Sequence, residues 1–569
     1  MSKFPAEPLF LGLDCSTQSL KAVFLTSSLK TRWSITINFD ASLPQYGTRE
    51  GVHLGPKGSN IVNSPVMMLV EACDLLGEEI QKQKVPVQDV VAISGAGQQH
   101  ASVYWSQKAN EILGSLDPSK KLVDQMSDAF ARKEVPNWQD SSTIEQCRRI
   151  EEAVGGKEEL TQITGSRAHA RFTGSQILRW REEDPKEWEK TGRVSLVSSW
   201  LCTMLCLDGE VKPIDRSDVA GMNLWDLKNK KWHPKLLEVV GGQGRGDELK
   251  RKLGDVELDG GRPVGKVGKW WVERFGFNPD GVVFTMSGDN PMTFLAFTLK
   301  ASDAIVSLGT SDTVLLSTQS YAPLAVAHLF SHPAEHADRP DRPTYMAMLC
   351  YKNGSLSREY VRDQYCSSSW DTFNANASLP GATPSPLGFY FLKPTIIPPN
   401  LEGIHFYQPS ESASSDTPPT KISAPPPDQH PRLILTSQFL SFRIRTADML
   451  GFDPKKTTEP VLSKVYVTGG ASSNPTIRRY LANALGAPVY SRSESGGCSV
   501  GAARKARWGW ERLQGNDSLG FQELMERLET ENQEEWDVTD WDKEEYELIG
   551  HQMMDWLKAE EQIIRETSA

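Results

Sequence analysis

Two far-separated segments of this 569-residue chain share one design, an apolar strand that turns back on itself through small hydroxyl residues. In the first, Leu9-Phe10-Leu11-Gly12-Leu13-Asp14 leads into Cys15-Ser16-Thr17-Gln18-Ser19 and returns through Ala22, Val23 and Phe24. In the second, Ala304-Ile305-Val306-Ser307-Leu308-Gly309 leads into Thr310-Ser311-Asp312-Thr313 and returns through Val314, Leu315 and Leu316. A turn of Gly, Ser and Thr presents backbone N–H groups and hydroxyls in a small concavity that suits the oxygens of a phosphate chain. One such hairpin is usually a plain turn. Two of them imply a duplicated fold that grips a single nucleotide.

A third element strengthens this reading. The strand Val465-Tyr466-Val467 runs into Thr468-Gly469-Gly470-Ala471-Ser472-Ser473-Asn474. The spacing of Ile477, Tyr480, Leu481, Ala484 and Leu485 then predicts a helix from Pro475, with Asn474 as N-cap and Gly486 as C-cap. Paired glycines carry no Cβ, so a flat base or a phosphate can lie against the backbone beside the helix N-terminus. The same residues also suit a tight strand-to-helix connection that binds nothing. His100 carries a similar ambiguity. It follows a strand-like Val90-Val91-Ala92-Ile93 and a glycine-containing loop, which puts it at a strand end, yet a lone histidine is usually a surface or core residue.

Taken in order, the two hairpins and the Gly-Gly loop resemble the nucleotide site of the ATPase superfamily that includes actin, hexokinase, the heat-shock chaperones and the sugar kinases. Ser287-Gly288-Asp289-Asn290, just ahead of the second hairpin, is similar to the catalytic signature of the FGGY carbohydrate kinases. Ser94-Gly95-Ala96-Gly97-Gln98-Gln99-His100, Trp138-Gln139-Asp140-Ser141-Ser142 and Arg171-Phe172-Thr173-Gly174 resemble the eukaryotic xylulokinase branch of that family. Several motifs in one order are far more specific than any one of them.

The resemblance implies an α/β chain of two ribonuclease H-like (actin-like ATPase) domains, residues 1–298 and 299–569, with a catalytic cleft between them. It implies ATP-dependent phosphorylation of D-xylulose to D-xylulose 5-phosphate, feeding the pentose phosphate pathway, with ATP and Mg²⁺. Asp289 would take the proton of the attacking hydroxyl, although the tetrapeptide alone reads as a plain Asx turn. Gln99, His100, Arg171, Asp289 and Asn290 would bind the sugar. Thr17, Gly309, Thr310, Gly469, Gly470, Ala471 and Asn474 would bind ATP, with Trp370 flanking the adenine. Asp14 would reach Mg²⁺ through water, a role compatible with capping its own hairpin through the N–H of Ser16 or Thr17. Two other readings stay open: a kinase for ribulose, ribitol or a related polyol, and a non-catalytic sugar and ATP sensor or chaperone-like ATPase. The intact Asp289 argues against a silent relative, and the Gln-Gln-His loop has no use in a chaperone.

Composition agrees. The length calls for more than one core, and 38% hydrophobic with 24% charged residues fits a soluble globular protein. A net charge of -11 disfavours nucleic acid as a partner. The first residues lack an apolar core, and the apolar run from Val194 to Cys206 is broken by Ser195, Ser198, Ser199 and Thr203, so neither a signal peptide nor a membrane segment is expected. Eight dispersed cysteines point to reduced thiols in the cytoplasm rather than to structural zinc, with Cys202 and Cys206 packed in a core. Ser410 to Pro431, rich in Ser and Pro, reads as a flexible surface insertion, and so does His328 to Pro343. Beyond Asn516 an acidic extension with Trp536, Trp541 and Trp556 reads as terminal helices packed by their aromatic faces.

Overall fold

Leu9–Cys15 (β1) is buried along its whole length, as a strand covered on both faces must be. The hydroxyl turn sends it back antiparallel to Ser19–Leu25 (β2), which pairs antiparallel with Thr31–Asn38 (β3). On its other side β1 lies parallel to Val90–Gly97 (β4). Pro263–Lys266 (β5) and Val282–Phe284 (β6) form the far edge, with β6 parallel to β4, and Ser287–Gly288 (β7) continues beside the end of β4. The computed structural model describes residues 7–337, 344–380, 385–409, 417–492, 497–532 and 535–568.

The chain divides into two compact units. One comprises residues 1–298, 329–344 and 496–534, the other 299–328, 345–495 and 535–569. The second repeats the wiring of the first. Asp303–Leu308 (β8) turns back into Asp312–Thr318 (β9), which pairs antiparallel with Tyr345–Tyr351 (β10). On the opposite side β8 is parallel to Lys464–Thr468 (β11), which is parallel to Val489–Ser491 (β12), and Asp537–Thr539 (β13) closes that edge antiparallel to β12.

In the first unit the helix Cys498–Leu513 lies across β1. It can do so because position 12 is glycine, where a Cβ would sit 1.8 Å from the Ser499 carbonyl oxygen. That seals a small apolar layer of Phe10, Val91, Ala92, Phe284, Ala503 and Ala506. The opposite face of the sheet is covered by Val66–Lys82 and by Val197–Cys206, on which Cys202 and Cys206 are fully buried.

Three segments differ from the sequence reading or lie partly outside it. Ser94–Gly97 is strand rather than loop, because its small residues suit the crowded middle of a sheet. Residues 328–335 are buried, apart from the half-buried His332, rather than an exposed insertion: Leu329 donates to Gly165 O at 2.8 Å, and Glu335 pairs with Arg216. Residues 338–343 lie outside the described residues, as do 410–416 of the Ser/Pro-rich stretch. From Thr420 that stretch is ordered. It pairs with Gly403–Gln408 and then opens the helix His430–Met449, with the His430 ring stacked on Tyr365 at 3.5 Å. At the C-terminal end, Trp556 lies on the helix Met553–Ser568 and packs 5.4 Å from Phe389, while Trp536 lies outside the helices and packs 5.0 Å from Tyr466.

Candidate active site

Three neighbouring parallel strands of the first unit end side by side. Asp14 and Cys15 on β1 face Ala96 and Gly97 on β4, and Ser287 and Gly288 on β7 face the same two residues from the other side. Whatever follows these strands must therefore emerge together, and it is Ser16-Thr17, Gln98-Gln99-His100 and Asp289-Asn290. The C-terminal ends of parallel strands are the usual place for ligands in such sheets.

The contacts are specific. Asn290 donates its backbone N–H to Asp289 Oδ1 at 2.9 Å and its side-chain amide to Gln99 Oε1 at 3.0 Å. Gln99 is buried, and its Nε2 makes no hydrogen bond. His100 has a positive φ of 70°, a conformation uncommon for a side-chain-bearing residue. Its Nδ1 lies 3.2 Å from Gly221 O, a group that can only accept, so Nδ1 carries the proton and Nε2 of a neutral ring is an acceptor. The imidazole stacks on Phe172 at 4.2 Å, the Arg171 guanidinium lies over the Phe172 ring at 5.6 Å from its centroid, and Thr173 donates to His100 O at 3.1 Å. Gln99, His100, Arg171, Asp289 and Asn290 thus form one neighbourhood.

Its carboxylates are electrostatically unusual. Loss of hydration, reinforced by the charge of Asp14, pushes the Asp289 carboxyl up to about 7. Burial also raises Asp14, against the Cys498 thiol and Lys21, which lower it. Asp14 Oδ1 is buried with no hydrogen-bond partner, and the Ser16 N–H that could have capped it is spent on Ser19 O at 3.0 Å. Two contacts close to this site escaped the sequence reading. Asp218 is fully buried, takes the Ser198 hydroxyl on Oδ2 at 2.5 Å, and is pushed up to about 8 by burial. Its Oδ1 lies beside Gly288, where an added Cβ would be 3.0 Å away. Trp138 donates its indole N–H to Thr17 Oγ1 at 2.8 Å. Asp218 carries no signal in the linear sequence; Trp138 belonged to a quoted motif, but its partner lies far away in the chain.

The second unit gathers the remaining nucleotide candidates. Ser307 on β8 pairs with Thr468 on β11, so Gly309-Thr310 and Gly469-Gly470 leave adjacent strand ends. Gly469, at φ 88°, rests on the hairpin strand: a Cβ there would be 2.7 Å from Leu308 O. The hairpin is anchored from behind by a buried pair, Arg358 to Asp312 at 2.7 and 2.9 Å, and by Ser355 N–H to Gly309 O at 2.8 Å. Asn474 caps the helix Pro475–Leu485 by accepting from Thr476 and Ile477 N–H, and donates to Asn374 at 2.9 Å. Asn374 is one turn along the helix Trp370–Ala377 from Trp370, whose ring lies 4.9 Å from the Arg362 guanidinium. Thr310, Gly469 and Gly470 are exposed, and Ala471 is half-buried. Thr17 belongs to the first unit.

Comparison with known proteins bears on this arrangement. Residues 132–296 match the N-terminal domain, and residues 304–510 the C-terminal domain, of the FGGY family of carbohydrate kinases. The chain is 38% identical to a probable D-xylulose kinase A of Neosartorya fischeri over 99% of each chain, and 40% identical to D-xylulose kinase A of Aspergillus niger over 91% of each. The fold is that of a ligand-bound xylulose kinase from Lactobacillus acidophilus, with a TM-score of 0.73 over 98% of both chains at 14% identity. Two domains of actin-like design, ending their parallel strands in hydroxyl hairpins and a Gly-Gly loop, thus accompany full-length similarity to sugar kinases, and the chain belongs to the FGGY family of carbohydrate kinases.

Proposed function

We propose that this protein transfers the γ-phosphoryl group of ATP to D-xylulose, giving D-xylulose 5-phosphate for the pentose phosphate pathway. The observation that carries the proposal is the shared end of β1, β4 and β7, where Asn290, next to Asp289, bonds to Gln99, next to His100.

Phosphoryl transfer depends mostly on positioning and charge neutralisation. Gln99 has an orphan buried donor for a sugar oxygen, the His100 Nε2 would accept from a sugar hydroxyl, and Arg171 would supply a cation at the same aromatic pair. Asp289 would take the proton of the attacking sugar hydroxyl as the hydroxyl oxygen bonds to the γ-phosphorus and the bond from that phosphorus to the bridging oxygen breaks, releasing ADP. Thr17, Gly309 and Thr310 would hold the phosphates, with Gly469, Gly470, Ala471, Asn474 and Trp370 around the adenosine. Mg²⁺, when bound, would neutralise charge on the phosphate chain. The unpartnered, buried Oδ1 of Asp14 fits a water in the shell of such an ion. Among the described residues no cluster of three or more His, Cys, Asp or Glu could hold a metal by itself, which suits an ion held chiefly by phosphate and water. No helix among them is long and apolar enough to cross a membrane, and eight cysteines dispersed along the sequence without a C-x-x-C motif support placing the enzyme in the reducing cytoplasm.

The test is ADP release coupled to a panel of D-xylulose, D-ribulose, ribitol and xylitol. The highest kcat/KM is expected for D-xylulose. A higher value for another polyol would reassign the substrate, and ATP turnover indifferent to every sugar would overturn the kinase reading.

A further inference from the structure

Trp138 is left 47% exposed, yet its one polar atom is used inside the protein, the indole N–H donating to Thr17 Oγ1 at 2.8 Å. An indole can only donate, whereas a hydroxyl has one proton and two lone pairs. Thr17 therefore accepts in this contact, and its own proton points away from the indole. The hairpin around it is otherwise fixed by its backbone. Both the N–H and the hydroxyl of Ser16 donate to Ser19 O at 3.0 Å, Gln18 O takes the Phe39 N–H at 2.9 Å, and a Cβ at Gly51 would lie 1.9 Å from Thr17 O. What these contacts leave open is the direction of the Thr17 hydroxyl proton, and the Trp138 N–H keeps that proton off the side it occupies.

The loop that carries Trp138 is pinned on both sides. Asn137 donates its side-chain amide to Gln98 Oε1 at 2.6 Å, next to the Gln99-His100 pair, and takes the Gln139 N–H at 2.9 Å. Asp140 accepts from Val62 N–H at 2.9 Å and from the Gln176 side chain at 2.7 Å. Consecutive residues of one ordered loop thus touch the sugar-side strand end and the first hydroxyl hairpin.

We propose that Trp138 is a positioning residue for the nucleotide, which fixes the Thr17 hydroxyl as a hydrogen-bond donor to a phosphate oxygen. The inference rests on Thr17 reaching the phosphate chain of ATP. Its consequence is that loss of the indole nitrogen is felt in nucleotide affinity rather than in sugar affinity.

The experiment compares Trp138→Phe, which keeps a ring and removes the N–H, with Thr17→Val and with the double variant. ATP and D-xylulose are varied separately in steady-state kinetics, and binding of a nonhydrolysable ATP analogue is measured by calorimetry, with thermal melting as a check of folding. Each single variant is expected to raise the KM for ATP and the Kd of the analogue by about tenfold, the scale of one hydrogen bond to a charged group. The KM for D-xylulose should change by less than about twofold in Trp138→Phe, and the double variant should be no worse than Thr17→Val, because both remove one interaction. Unchanged nucleotide binding in Thr17→Val would overturn the assignment of Thr17 and this inference with it. A loss in Thr17→Val beside an unaffected Trp138→Phe, additive losses in the double variant, or a parallel rise in both KM values would leave Thr17 in place and overturn the role of Trp138.

Discussion

Asp289 opens a helix directly after β7, and Asn290 donates to its Oδ1 through both backbone N–H and side-chain amide. Those bonds orient the carboxylate, while lost hydration and the neighbouring Asp14 charge push it up to about 7. A base works only unprotonated. The kcat/KM for the sugar should therefore fall about tenfold per pH unit as pH drops below 7, and level off above it. Asp289→Asn keeps the shape and loses the proton acceptor, so kcat should drop by about 10²- to 10⁴-fold with that acid limb abolished. Calorimetric binding of D-xylulose should survive. Normal turnover in the folded Asn variant would reduce Asp289 to a turn residue. His100 presents the complementary case. Its Nδ1 is committed to Gly221 O, its ring to Phe172, and its carbonyl to Thr173, so the side chain is held rigidly for whatever meets Nε2. Truncation leaves buried polar groups of the site and of the sugar unpaired, the mechanism by which sites reject incomplete substrates. His100→Ala should lower kcat/KM for D-xylulose by about 10²-fold or more and leave the Kd for ATP without sugar within a few-fold; unchanged sugar kinetics would return His100 to the scaffold.

At the scale of elements, the second hairpin depends on a side chain that never reaches its tip. Arg358 is buried and grips Asp312 through two hydrogen bonds, its two terminal nitrogens also donate to Gln438 and Ser355, and its Nε makes no hydrogen bond. Removing one partner of a buried pair strands the other charge. Arg358→Met should therefore cost about 3–5 kcal/mol of unfolding free energy, read from urea titration, and should weaken nucleotide binding along with it. Replacing Asp312 as well, in Arg358→Met/Asp312→Asn, should recover part of that loss; an equal or greater loss would show that packing, not the stranded charge, sets the cost. This element also marks how far sequence reading reaches. The strand, turn and return of both hairpins were legible because alternation, glycine and hydroxyl residues are local signals. So was the helix Pro475–Leu485 with its Asn474 and Gly486 caps. The Asp312–Arg358 pair, the stack of His100 on Phe172 and the bond from Trp138 to Thr17 were not, since each joins residues that only sheet pairing and loop packing bring together. Ser94–Gly97 was misread for a related reason: small residues that signal a loop in isolation are required of a strand squeezed between β1 and β7. The burial of residues 328–335 was hidden by a polar composition whose charges find partners only in the folded chain.

For the molecule as a whole, the order of the motifs along the chain and the composition of the compact units are different matters. The chain passes from one unit to the other after residues 298, 328, 344, 495 and 534. The first hairpin, the Gln-Gln-His loop and Asp289 all precede residue 299, but the helix Cys498–Leu513 that covers β1 does not. Without it, Phe10, Val91, Ala92 and Phe284 lose Ala503 and Ala506 as their cover, and the buried Lys505 no longer meets Asp215, at 3.2 Å, or Thr285, at 2.9 Å. A fragment of residues 1–298 would thus expose an apolar sheet face and leave the Asp215 carboxylate unpaired, each a recognised route to loss of stability. That fragment carries the full set of proposed sugar contacts, so it also separates possession of the residues from possession of the site. Expressed alone, it should show strand and helix signals in far-UV circular dichroism, little near-UV signal from its tryptophans, and a broad, non-cooperative urea transition. It should bind no D-xylulose by calorimetry. A cooperative transition with sugar binding intact would show that residues 329–344 and 496–534 are accessory to the first unit rather than part of its core.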